Sequence, residues 1–155
     1  MDETKYNDFI KKINLEKIEL NSLMCNKNTS FDRSRELDIA LEHDIKSIQK
    51  DGVELRVQIG FEVVAGESVG NEESIEDFQD ESLLFRINFT LDLIYALKVD
   101  EEIDFLLGLD KEIKHFADNN VPVNAWPYAR EMISSTTTRM GLPPLVIPPF
   151  IIGKF

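Results

Sequence analysis

Leu83-Leu84-Phe85-Arg86-Ile87-Asn88-Phe89-Thr90-Leu91-Asp92-Leu93-Ile94-Tyr95-Ala96-Leu97 decides the fold. Leu83, Phe85, Ile87, Phe89, Leu91, Leu93, Tyr95 and Leu97 fall on one side of an extended chain. Arg86, Asn88, Thr90, Asp92 and Lys98 fall on the other. Successive side chains of a strand point to opposite faces, so a strict period of two marks a strand with one covered side. Such alternation belongs to antiparallel sheets. The same period runs upstream through Val53, Leu55, Val57, Ile59, Phe61 and Val63, after the turn signal Asp51-Gly52, and through Leu37, Ile39 and Leu41. The end of this earlier strand is ambiguous around Ile45–Gln49, so Asp51-Gly52 alone does not establish a tight hairpin. Ile13, Leu15, Ile18, Leu20 and Leu23 suggest another strand, with a bulge or bend, ending before Asn26-Lys27-Asn28.

Outside these strands the period becomes helical. Tyr6, Phe9, Ile10 and Ile13 form an i, i+3, i+4, i+7 stripe, which predicts a helix over 3–13. Ile103, Leu106, Leu107, Ile113 and Phe116 can share a helical face that Gly108 interrupts. A further helix is predicted over Tyr128–Met140, with Pro127 in its first turn and Gly141 at its left-handed cap. All six prolines lie from Pro122 onward, so Leu142–Phe155 is expected to be an extended, apolar arm. The segment 66–81 carries Glu67, Glu72, Glu73, Glu76, Asp77, Asp80 and Glu81 with no basic residue, and is expected to be a solvated, mobile loop. The expected class is α+β in one domain over 1–155, with a helix to residue 13, a sheet over 14–98, and helices and arm over 99–155.

Composition narrows the function. The 155 residues suit one domain with a real core. Seventeen basic against 29 acidic residues give a formal charge of −12, which argues against nucleic acid and favours basic partners. A single cysteine, Cys25, precludes an internal disulfide, and together with a non-secretory amino terminus it predicts a cytoplasmic protein with no membrane segment.

Chemistry-bearing motifs are weak. Gly66-Glu67-Ser68-Val69-Gly70 matches the G-x-S-x-G nucleophile elbow, and His115 follows in triad order. That chemistry needs a strained strand-to-helix turn over a parallel sheet, whereas the flanks here are acidic and the sheet reads antiparallel. A serine hydrolase using Ser68 is therefore the alternative of a different class, and no catalytic residue is assigned. His43 sits between Glu42 and Asp44 on a strand, where neighbours diverge, and His115 has no histidine or cysteine at i±4, so no metal site is expected. No phosphate-binding loop motif is present, and no cofactor is implied.

Asn124-Ala125-Trp126-Pro127-Tyr128-Ala129-Arg130-Glu131-Met132-Ile133-Ser134, followed by Arg139-Met140-Gly141-Leu142-Pro143-Pro144-Leu145-Val146-Ile147-Pro148-Pro149, resembles the SecB family of protein-export chaperones. The match covers about a fifth to a quarter of the chain. The resemblance implies a four-stranded antiparallel Greek-key sheet with helices on one face, assembled as a dimer of dimers. It implies a holdase that binds unfolded polypeptides without ATP in apolar grooves, through burial of about 25 cal/mol per Å² of apolar surface.

Carried over by position, Phe31, Trp126, Tyr128, Leu142, Leu145 and Ile147 are the expected groove residues. Pro127, Arg130, Glu131 and Gly141 are expected to support the helix and the oligomer. The chain departs from the family in three places. It stops at Phe155, before a last helix and polar tail that help bind the SecA motor. Its first strand, Ile18-Glu19-Leu20-Asn21-Ser22-Leu23, has no clear equivalent of the acidic motor-binding face. The acidic loop 66–81 is longer. These departures put a SecA contact in question and suggest a SecB-like relative, whose client is either a secretory precursor or the antitoxin of a toxin–antitoxin module.

Overall fold

The computed structural model describes residues 1–32, 34, 36–67, 70, 74–99 and 106–150. Helix α1 (Glu3–Lys12) leads directly into strand β1 (Ile13–Lys27). Strands β2 (Leu37–Asp51), β3 (Glu54–Glu67) and β4 (Leu83–Leu97) follow, then helices α2 (Asp110–Asn119) and α3 (Val121–Arg139). The sheet has the order β1-β4-β3-β2, with every neighbouring pair antiparallel. Three consecutive strands with the first returning beside the fourth make a Greek key.

Alternation in β3 and β4 becomes a pair of faces. Ile87, Phe89, Leu91 and Leu93 sit opposite Val63, Phe61, Ile59 and Val57, and all eight are buried. Phe61 and Phe89 stack at 5.1 Å. Helix α3 lies over β3 and β4 and buries Ala125, Trp126, Ala129 and Ile133, its small residues letting the backbone approach the sheet. Phe9 of α1 and Tyr95 of β4 each meet Phe116 of α2 edge-on, at 5.4 and 5.0 Å. Asn124 Nδ2 donates to the Tyr95 hydroxyl at 2.9 Å, but burial dominates and pushes the phenol up to about 12.

At its start the chain is capped and tied down. The Asp2 carboxylate accepts the Thr4 and Lys5 amide N–H groups, while the Asp2 N–H donates to Glu112 of α2 at 2.9 Å. That backbone bond, with smaller help from the amino terminus and Lys5, holds the Glu112 carboxyl below its ordinary range.

The opposite side of the sheet is polar in its middle. Asp92 is buried there and accepts from Asn21 at 3.2 Å and Gln58 at 3.0 Å, with Arg56 at 3.8 Å. A buried carboxylate supplied with donors in this way avoids most of its desolvation cost.

The structure revises three expectations. First, α3 begins at Val121, so Pro127 lies inside the helix and Pro122 takes the first-turn position. Proline is tolerated wherever a helical N–H has no partner to lose, and Pro122 meets that condition; Pro127 leaves the carbonyl of Val123 without its usual amide donor. Second, the helix expected around 103–116 begins only at Asp110, after a turn at 106–108 in which Gly108 has φ +79°; Ile103 lies outside the described residues. Third, the acidic segment is anchored rather than solvated throughout. Ile75, in the first of two short 3₁₀ turns (Ile75–Asp77 and Asp80–Ser82), and Phe78, which caps that turn, pack with Ala40, Val64 and Leu83 into a second apolar cluster. Ser74 and Asp77 form a capping box, and Glu42 of β2 accepts from Ser74 Oγ and the Ile75 N–H, both at 3.0 Å. Arg86 bridges Glu62 and Asp80. Gly66 makes the docking possible, because a Cβ there would lie 2.9 Å from both Phe78 Cδ1 and the Ser82 carbonyl oxygen.

Candidate client-binding surface

The two outer strands frame two different settings on the helix side of the sheet. On the β2 side the chain's own arm, residues 142–150, covers the sheet at His43, while Leu37 and Ile39 at the start of β2 stay exposed. Helix α3 ends in a tight reversal. The Leu142 N–H donates to the Thr137 carbonyl at 3.1 Å and the Gly141 N–H to that of Thr138 at 3.0 Å, with Gly141 at φ +78°. This is the Schellman pattern, in which a left-handed glycine lets the last carbonyls find donors. Lys27 Nζ adds a bond to the Met140 carbonyl at 2.6 Å.

Beyond this turn the arm runs back along α3. The Leu145 N–H donates to Thr137 Oγ1 at 2.9 Å. Arg130 Nε donates to the Ile147 carbonyl at 2.9 Å and Trp126 Nε1 to the Pro148 carbonyl at 2.7 Å. Phe150 meets the Trp126 ring at 5.1 Å and His43 at 5.9 Å. His43 also faces Trp126 at 6.1 Å and Phe61 at 5.9 Å, and burial in this aromatic box lowers its pKa, partly offset by Asp44.

The β1 side is different. Register places Ile18, Leu20 and Leu23 opposite Leu93, Leu91 and Phe89, hence on the helix-facing side. Two bulges, at Leu15/Lys17 and Leu20/Ser22, keep these apolar residues on that side although they are not evenly spaced. Leu20 remains 49% exposed and Leu23 41%. The result is an apolar strip along an outer strand beside a buried sheet centre, the kind of surface that marks an interaction site.

The residues that sequence reasoning singled out as a groove differ widely in exposure. Trp126 and Ile147 are each only 3% exposed and belong to the core, where Trp126 holds the arm through the Pro148 carbonyl. Leu142, Leu145 and Phe31 are half-buried against the same core. Tyr128 is 51% exposed on the outward side of α3, where Glu131 is also exposed. Arg130 is a hydrogen-bond donor to the arm, and Gly141 caps α3, as their residue types suggest. The structure therefore joins Trp126, Arg130, Leu145 and Ile147 in one clasp and leaves Tyr128 and Phe31 outside it. Sequence reasoning missed His43, Thr137 and Phe150 as parts of the clasp, and Leu20 and Leu23 as an open surface. Phe150 carried a signal, an aromatic three residues beyond Ile147.

Ser68 lies outside the described residues; the strand leading to it, β3, is antiparallel to both neighbours. Among the described residues no group of three or more His, Cys, Asp or Glu could hold a metal ion, and no helix is long and apolar enough to cross a membrane.

No protein-family model matches the sequence, and no curated protein matches it. Among solved structures, the Mycobacterium tuberculosis Rv1957 SecB-like chaperone, in complex with a ChAD peptide from the Rv1956 HigA1 antitoxin, is similar with a TM-score of 0.74. The match covers 96% of this chain and 97% of that one at 14% identity. A Streptococcus agalactiae protein of unknown function covers 88% of this chain and 97% of its own at 8% identity, with a TM-score of 0.38, too distant to define a common fold. The fold of this chain is SecB-like: an α+β Greek-key sheet with helices on one face.

Proposed function

We propose that this protein is an ATP-independent chaperone that holds non-native polypeptide, and that its client is an antitoxin of a toxin–antitoxin module rather than secretory precursors in general. The observation that carries the reading is the open apolar strip at Leu20 and Leu23 on a fold shared over 96% of the chain with a SecB-like chaperone bound to an antitoxin peptide. A strip of this kind gains about 25 cal/mol per Å² of apolar surface covered, without contacts that depend on client sequence. The charge of −12 keeps such a surface soluble and draws basic client segments.

Self-association as a dimer of dimers belongs to this reading. Among the described residues, strands β1 and β2 each have one edge that pairs with no other strand, and paired edges remove a liability that single chains otherwise carry. The protein acts in the cytoplasm and performs no catalysis. A fluorophosphonate probe tests the last point, and labelling at Ser68 would overturn it.

The deciding experiment offers the protein, without nucleotide, two unfolded partners: an antitoxin encoded beside its own gene and a secretory precursor. Preferential capture of the antitoxin, with protection from aggregation, is expected. Equal capture of both would replace the dedicated client with a general one.

A further inference from the structure

Resting on the chaperone reading, we propose that residues 142–150 are a displaceable internal ligand. They fill a channel between α3 and the helix-facing side of β2, and an extended apolar client segment with apolar side chains three residues apart takes their place there.

The arm's own contacts define what fits. Ile147 is sunk into the core and Phe150 lies on Trp126 and His43. A spacing of three brings both side chains to one side of a polyproline-type segment, which repeats every three residues. Between them, Arg130 and Trp126 donate to the carbonyls of Ile147 and Pro148. Carbonyls are present on every residue, proline included, so this pair of donors reads an extended backbone irrespective of sequence. Four of the arm's nine residues are prolines and offer no N–H. The Leu145 N–H bond to Thr137 is a third polar tie, close to the turn.

The docking is also separable from the rest of the fold. The Schellman turn, which takes only the Leu142 N–H from the arm, and Lys27 satisfy the end of α3. Pro143, Pro144, Val146, Pro148 and Pro149 face solvent; Leu142, Leu145 and Phe150 are half-buried, and Ile147 alone in the arm is fully buried. Glycine at 141 has φ +78° and only Lys27 Nζ, at 4.0 Å, near its missing Cβ, so the hinge has room to turn. A tethered ligand of this kind acts at an effective concentration in the millimolar range for a short link. It reduces client affinity by the fraction of time it occupies the channel.

Two variants test the proposal from opposite directions, with a reduced, carboxymethylated and permanently unfolded protein as probe. Phe150→Ala loosens the arm without altering the channel. Thr137→Cys with Leu145→Cys, in a Cys25→Ser background, ties it down when oxidised. Loosening is expected to tighten probe binding by about threefold or more, and locking to weaken it by about tenfold, restored by reductant. A synthetic peptide of residues 142–150 should bind the loosened protein and not the locked one. Trp126, the single tryptophan, reports departure of the arm as a red shift in emission of free Phe150→Ala relative to free wild type, and probe binding to that variant reverses it. Equal probe binding by locked and reduced forms would overturn the internal-ligand proposal while leaving the chaperone reading intact. Absence of probe binding by every form would overturn the chaperone reading itself and this proposal with it.

Discussion

Strands β1 and β2 are both 15 residues long and both lie at an edge of the sheet, yet they meet opposite surroundings. Strand β2 is covered on both faces over part of its length only, since Leu37 and Ile39 at its start stay exposed. The arm and α2 reach it on the helix side, and the cluster of Ile75 and Phe78 covers Ala40 on the other. Strand β1 keeps Leu20 and Leu23 open on the helix side and Met24 open on the polar side. Equal strands with unequal cover show that hydrophobic content alone does not determine what a strand does. What the following chain folds back onto decides it, and here the chain folds back onto β2 from His43 onward and leaves β1 open around Leu20 and Leu23.

Replacing Leu20 and Leu23 together by Asp should weaken client binding by about tenfold or more while unfolding stability changes by less than about 1 kcal/mol, as for exposed sites. The matching pair on the covered strand, Ile45→Asp with Ile48→Asp, should do the reverse. Both residues pack against the core, and burying unpaired charge there costs several kcal/mol, on the order of 3 or more. Denaturant unfolding followed by Trp126 emission, beside fluorescence anisotropy of a labelled client, separates the two. Loss of stability from the β1 pair would erase the distinction.

A smaller effect tests the outer cover of β2. Gly66→Ala should cost about 1–3 kcal/mol, because the new methyl meets both the Phe78 ring and backbone at Ser82. Gly60→Ala, on the same strand, should cost less than about 1 kcal/mol, since its methyl meets the flexible end of Lys46 and that side chain can swing away. Thermal melts of the two variants provide the comparison, and equal losses would mean that the acidic segment contributes no packing.

The smallest effect is a pH dependence confined to the covered side. His43 has its pKa lowered from 6.5 by burial among Phe61, Trp126 and Phe150. The unfolded chain therefore binds the proton more readily, and stability declines as pH falls from about 6.5 to the folded-state value, then levels. His43→Gln should flatten that part of the stability profile. A variant that keeps the same slope would assign it to another group.

Much of this architecture was legible from alternation alone. Leu83–Leu97 and Val53–Val63 read as strands because a period of two runs through them unbroken, and β4 has the bounds that its pattern suggests. The end of β2 was not legible because a bulge at Ile45/Ser47 leaves Ile45 and Ile48 on one side although three residues apart. The hairpin closes through Gly52 and Val53, with Gly52 at φ +60°, but a broken period upstream hides it. Pro127 misled for a simple reason: it has the residue type of a helix start, and Pro122 has it as well. For the site, the SecB-like segment identified the arm and α3. Only folding back reveals that Trp126 and Ile147 face each other's surroundings in the core, while open surface lies on β1, far away in sequence.

The central claim is that an open strip on β1 holds non-native chain without nucleotide. Refolding of a slow-folding test protein, with the wild type and with the Leu20→Asp, Leu23→Asp variant at equal concentration, tests it most directly. A stoichiometric delay by the wild type that the variant loses is the predicted result. No delay at clear molar excess, or an equal delay from both proteins, would contradict it.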